Sequence, residues 1–253
     1  MKEKLDLVIE LIKKVTKKEC YSFKIVEGKP NVTDTKLGGV PYLPKGYEYP
    51  TDENDNPLAL LFQINFEDIK LENYPEKGIL EIFVDTEISY PPKYKILYFE
   101  TIEDCETNFP TLDLKYFIVR EEYKLELEKG ITYMPINDYR FDKILSECAQ
   151  NVGLTINNLH SIEEDLNDEE AFDYLINKLP ATYAEVGGYA NFTQYDPREG
   201  EHSDLTECIL KIDSYLDTKK VMIGDCGIAW VLISKENLIN KRFELAQFDW
   251  DCL

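Results

Sequence analysis

The stretch Leu37-Gly38-Gly39-Val40-Pro41-Tyr42-Leu43-Pro44 has an echo later in the chain, Val186-Gly187-Gly188-Tyr189-Ala190-Asn191-Phe192. The offset that carries Gly38 onto Gly187 also carries Gly78 onto Gly227 and Val84 onto Ile233. One register shift relating separate segments reads as an internal duplication. Behind each glycine pair comes an apolar run, residues 58–65 (LALLFQIN) and 208–213 (CILKID). A second run then opens on Gly, residues 78–84 (GILEIFV) and 227–233 (GIAWVLI). Short, nearly continuous apolar runs predict strands buried on both faces. The glycine pairs lack the lysine and the strand–helix context of a phosphate loop, so they read as tight turns with positive φ.

Working outward, further strands are expected at 21–26, 95–99, 116–119, 123–128 and 243–250. The run 123–128 alternates Tyr, Leu, Leu with Lys, Glu, Glu, which puts one face in water. Most connections are too short for crossover helices, so pairing should be antiparallel. Residues 27–56 carry many Pro, Gly, Asp and Asn and should hold little regular structure. Residues 3–18 place Leu5, Val8, Ile9, Ile12 and Val15 on one stripe, predicting an amphipathic helix laid as a lid on the sheet. Phe141, Ile144, Leu145 and Cys148 form a second stripe. Phe172, Leu175, Ile176 and Leu179 form a third, ended by Pro180. Ser234 should cap a short helix over 235–240. The expected fold is α+β: two related β-rich, mostly antiparallel halves from the duplication, an N-terminal amphipathic helix and a helical insert. Residues 1–253 would form a single compact domain, with the pseudo-repeat at about 21–130 and 180–253 and the connector at about 138–180.

The balance of 28 basic against 49 acidic residues, net −21, disfavours nucleic acid, whose binding draws on Lys and Arg, and anionic membranes. A basic protein or a cation fits better. Acids at Glu163, Glu164, Asp165, Asp168, Glu169, Glu170 and Asp173 are interrupted by no base. They read as a solvated helix start or as a docking face for a basic partner. Six cysteines without a C-x-x-C pair imply free thiols in a reducing cytoplasm. No apolar run is long enough for a membrane span, and the N-terminus shows no apolar signal core.

Candidate site residues are few. Gln63 lies inside an apolar strand, where a buried amide needs partners. Arg198 leaves the turn Gln194-Tyr195-Asp196-Pro197-Arg198 and could hold an anion or simply pair with Asp196. Asp225 precedes the Gly-started run of the second half, and Trp230 lies within it. These four could line a groove between the halves. Cys226 stands beside a carboxylate that would blunt its thiolate, and neither His160 nor His202 is placed by sequence to serve it. Asp196, Asp213, Asp225, Asp249 and Asp251 lack the spacing of a calcium loop, and no zinc-ligand spacing occurs. No metal and no cofactor are expected.

The ordered blocks Gly38 to Pro44, Phe62-Gln63-Ile64, Gly78-Ile79-Leu80, Gly187-Gly188-Tyr189, Gln194 to Arg198, Gly224-Asp225-Cys226-Gly227 and Asp249-Trp250-Asp251-Cys252 resemble those of the bacterial YwqG-like family. The likeness runs from about residue 21 onward. Ala190-Asn191 departs from the family's Tyr-Pro, and Lys211 stands where Gln is usual. The resemblance implies two related β-rich halves and no established reaction. The occurrence of family members near toxin genes implies an immunity role for some. The expected function is therefore that of a non-enzymatic binding protein, of immunity type, for a basic partner. A small-ligand receptor or enzyme with its site between the halves is the alternative.

Overall fold

The computed structural model describes residues 2–87, 89–179, 181–200 and 202–252. Ten strands form one sheet, and every pairing in it is antiparallel. At its centre β1 (Lys18–Val26) runs against β6 (Tyr123–Thr132) along its whole length. Beyond β6 lies one wing, β2 (Lys36–Leu37), β3 (Ala59–Asn65), β4 (Ile79–Val84) and β5 (Tyr94–Phe99). Beyond β1 lies the other, β7 (Ala184–Gly187), β8 (Glu207–Asp213), β9 (Ile228–Ile233) and β10 (Gln247–Asp251).

The sheet curls until its edges meet, and the shape is nearly a barrel. Tyr94 of β5 faces Phe248 of β10 with ring centroids 5.9 Å apart. Trp250 Nε1 donates to Ser89 O at 3.1 Å. Inside the curl, Phe62, Ile64, Ile82, Val84, Leu210, Ile212, Val231 and Phe248 belong to one continuous core. The outer faces are covered as well, which is why the apolar runs are nearly unbroken. Leu43 and Tyr49 pack over Leu60 and Phe83 in the first wing. Ala190, Phe192 and Leu205 pack over Trp230 and Leu232 in the second.

The two wings share local detail. A bulge interrupts β3–β4 pairing between Leu60 and Phe62, and another interrupts β8–β9 between Cys208 and Leu210. Each wing buries a lysine–glutamate pair on its outer face. Lys36 Nζ lies 3.1 Å from Glu122 Oε1, and Lys211 Nζ lies 3.2 Å from Glu185 Oε1. Each pair sits against the second glycine of its turn. A Cβ on Gly39 (φ +82°) would come within 2.4 Å of the Glu122 side chain, and one on Gly188 (φ +72°) within 2.5 Å of Glu185 Oε1. Glycine is therefore required twice over, for the left-handed backbone and for the space.

The helices form a layer of their own. Leu5, Val8, Ile9 and Ile12 of α1 (Lys2–Thr16) meet Phe141 and Leu145 of α2 (Phe141–Asn151). Ile162 of α3 (Ile162–Leu166) and Leu175 of α4 (Ala171–Lys178) join the same cluster. The N-terminal helix is thus a partner for the connector helices rather than a lid on the sheet, because their apolar stripes match its own. Tyr189 ties this layer to the second wing by donating from its hydroxyl to Thr16 O at 2.9 Å. Ser234 caps α5 (Lys235–Ile239) by accepting from Asn237 N at 3.2 Å. The strand expected at 116–119 reduces to a single bridge, Val119 to Val221. Pro180 lies outside the described residues, and no helix among those described is long and apolar enough to cross a membrane.

Candidate functional site

In an antiparallel sheet, directly opposed residues point to the same face. Glu185, Lys211, Trp230 and Asp249 are opposed in turn across β7, β8, β9 and β10. Asp251, two residues beyond Asp249, shares that outer face. The row therefore passes from a buried ion pair, through an indole, to two carboxylates at the sheet edge. Trp230 is held by Phe192, whose ring meets it edge-on at 4.8 Å.

The loop carrying Phe192 is pinned from below by a buried charge network. Arg198 donates from Nε to Asp196 Oδ1 at 2.8 Å and from Nη2 to Asp196 Oδ2 at 2.6 Å. Nη2 also reaches Asp138 Oδ2 at 2.8 Å. Asp138 in turn receives Arg140 through Nε at 2.7 Å and Nη2 at 2.6 Å. The Arg198 guanidinium lies over the rings of Tyr139 and Phe192, 5.6 and 5.3 Å from their centroids. Burial would raise the Asp138 pKa, but hydrogen bonds from Arg140 and the charge of Arg198 hold it below the usual carboxylate range. Burial likewise opposes the Arg198 charge, and Asp196 and Asp138 more than offset it.

Above this anchor, Tyr195 stands 67% exposed beside Pro197. From across the seam, the turn between β4 and β5 brings Tyr90 edge-on to Trp250 at 6.4 Å. These groups enclose a cavity of about 310 Å³, lined also by Gln194, Trp230, Asp249, Asp251 and Cys252. A second cavity of about 360 Å³ adjoins it, sharing Tyr195, Pro197, Trp230 and Asp249 and adding His202. Both tryptophans of the chain line the first cavity.

The two carboxylates are only partly satisfied. Asp251 Oδ2 accepts from Thr193 N at 2.9 Å and Gln194 N at 3.0 Å, while its buried Oδ1 has no partner. Asp249 accepts from Trp250 N at 2.9 Å through Oδ1. Burial pushes the Asp249 pKa up, the Trp250 amide pulls it back, and the nearby Asp251 charge adds to the rise. Among the described residues, neither aspartate has a Lys, Arg or His ion-pair partner. No group of three or more His, Cys, Asp or Glu among those residues is arranged to hold a metal ion.

Of the four candidates read from the sequence, Trp230 lines the cavity and Arg198 supports it from beneath. Gln63 is elsewhere and fully engaged. Its Oε1 accepts from Tyr42 N at 2.9 Å, and its Nε2 donates to Val32 O and Asp34 O, each at 2.8 Å. Asp225 is exposed in a turn behind Trp250, where Gly224 packs on the indole. In the acidic run, Glu163, Glu164, Glu169 and Asp173 face water, and Glu170 pairs with Lys2 at 3.0 Å. Asp165 accepts from Asn157 and Ser161, and Asp168 accepts from Glu170 N. Sequence reasoning did not select Tyr90, Tyr195 or Trp250 for a site. The signal for Tyr195 and Trp250 lay in the blocks 194–198 and 249–252, which the fold brings together at one cavity; Tyr90 lies in no such block.

A family model described as a domain of unknown function (DUF1963) matches residues 35–252. No curated protein matches the chain.

Proposed function

The chain belongs to the family of the DUF1963 domain, and from that premise we propose that it is a binding protein whose seam cavity receives a cationic group of a basic partner. The observation that carries this reading is the pair Asp249 and Asp251, set among aromatic rings with no counter-cation among the described residues. Aromatic faces and carboxylates both attract cations. The net charge of −21 would steer a basic partner toward the surface. The exposed acids Glu163, Glu164, Glu169 and Asp173 add a second attractive region.

Within the family we read the chain as YwqG-like, on the ordered blocks from Gly38 to Cys252, and its binding as of immunity type, neutralising a basic protein. We read the wings as one duplicated unit within a single domain; the constant sequence offset, the paired bulges and the paired glycine turns support this. A cytoplasmic setting accords with six free thiols.

Because both tryptophans line the cavity, intrinsic fluorescence reports its occupancy. Titration with a lysine- and arginine-rich peptide should change the emission at low salt, and the affinity should fall as salt rises. An unchanged spectrum, or binding indifferent to salt, would sink the proposal. The second reading, a small-ligand receptor or enzyme with its site between the wings, draws on the cavity volume, which lies at the low end for small-molecule sites. A neutral small molecule that binds while the peptide does not would favour it.

A further inference from the structure

We propose that the group received by the cavity is a guanidinium, presented as an arginine side chain of the partner; this rests on the binding reading above and names its chemistry. The protein contains its own template. Arg198 lies over two aromatic rings and is hydrogen-bonded to two aspartates. One layer outward, the cavity offers aromatic rings and two aspartates, Asp249 and Asp251, with no arginine between them.

The acceptors discriminate among cations. Asp249 and Asp251 line the cavity, and a carboxylate is met most strongly by a cation that carries N–H donors. A quaternary ammonium has none. Asp249 and Asp251 are two residues apart on one strand face, so their carboxylates are separate acceptors about 6–7 Å apart along the strand. A planar guanidinium carries five N–H donors spread around its edge and stacks on aromatic faces while it donates. A compact, strongly hydrated ammonium suits a single carboxylate better. Trp230, Trp250, Tyr90 and Tyr195 supply the faces.

The test uses the full-length protein and five probes: N-acetylarginine amide, its neutral isostere N-acetylcitrulline amide, N-acetyllysine amide, choline and a neutral disaccharide. Tryptophan emission and the alkylation rate of Cys252, which lines the same cavity, are the two readouts. The arginine amide should shift the emission and slow Cys252 alkylation, with affinity at least about tenfold above the lysine amide. The citrulline amide should be silent. D249N and D251N should each weaken the arginine amide by about tenfold or more, with the circular dichroism spectrum unchanged as the check on folding. Equal binding of arginine and citrulline amides would overturn the proposal. So would binding of lysine amide or choline with arginine amide silent, although the basic-partner reading would then survive. A disaccharide response without an arginine response would overturn both, as would silence toward every cationic probe and toward the basic peptide.

Discussion

Arg198 Nη2 lies 2.8 Å from Asp138 Oδ2, with both side chains no more than 2% exposed. The contact joins the segment before α2 to the loop over β9, and so fixes the cavity wall to the helical layer. Removing one member of an isolated buried pair costs about 3–5 kcal/mol; the cost is smaller here, because Asp196 still meets Arg198 and Arg140 still meets Asp138. Arg198→Met and Asp138→Asn should each lower the urea midpoint accordingly. The double replacement should cost less than the two singles added, because the Arg198–Asp138 contact that each single removes is then lost only once. Asp138 is held below its usual pKa in the folded state, so its share of stability is fully present above about pH 4 and is lost as pH falls further. Midpoints measured between pH 7 and pH 3 check the slope.

Glu81 gives the opposite sign. It is fully buried on β4, next to Gln63 of β3, and neither carboxylate oxygen has a partner. Burial drives its pKa well above the carboxylate range, with the Tyr42 amide and Lys36 pulling the other way. The folded protein therefore holds a proton that the unfolded chain releases above about pH 4.3. Glu81 costs stability progressively as pH rises from there. Glu81→Gln should be more stable than the parent at pH 8 and close to it at pH 4. A mutant whose advantage does not grow with pH would contradict this.

Gly227 opens β9 with an ordinary backbone angle, yet a Cβ there would fall 1.9 Å from Asp251 O. Backbone cannot yield like a flexible side chain, so Gly227→Ala must displace the end of β10. The displaced strand carries Asp249 and Asp251 with it. The expected result is loss of cationic-probe binding with most of the sheet retained, read by tryptophan emission beside far-ultraviolet circular dichroism.

The thiols should divide by environment. Burial pushes Cys20 and Cys208 up to about 12, with nearby Glu185 adding to the rise. Both should resist iodoacetamide at pH 8 in the native protein, because thiolate is the reactive form. Cys105, Cys226 and Cys252 are partly exposed and should label first. Peptide mass spectrometry of the native protein gives the order.

The long apolar runs announced β3, β4, β8 and β9 because both their faces are covered, one by the core and one by loops. Short β2 and β7 were invisible for a related reason. Two residues, Lys-Leu, and four, Ala-Glu-Val-Gly, carry no period, and their charged members are buried only because a distant partner meets them: Glu122 for Lys36 and Lys211 for Glu185. The lid reading of α1 failed because an amphipathic stripe specifies that a helix packs, not what it packs on. Trp230 was legible as a candidate because a large indole stands in an apolar strand, and it lines the cavity. Tyr90 was not, since only the meeting of the sheet edges brings it beside Trp250.

That meeting is made by side chains, Tyr94 on Phe248 and Trp250 on Ser89, rather than by another ladder of backbone hydrogen bonds. One wall of the cavity comes from the turn after β4 and the other from β10, which follows the other nine strands of the sheet along the chain. A chain still lacking β10 has no such cavity. The cavity is thus complete only when the first wing and β10 are both in place, and an occupant of the kind proposed would favour that completed state over any opened one by mass action.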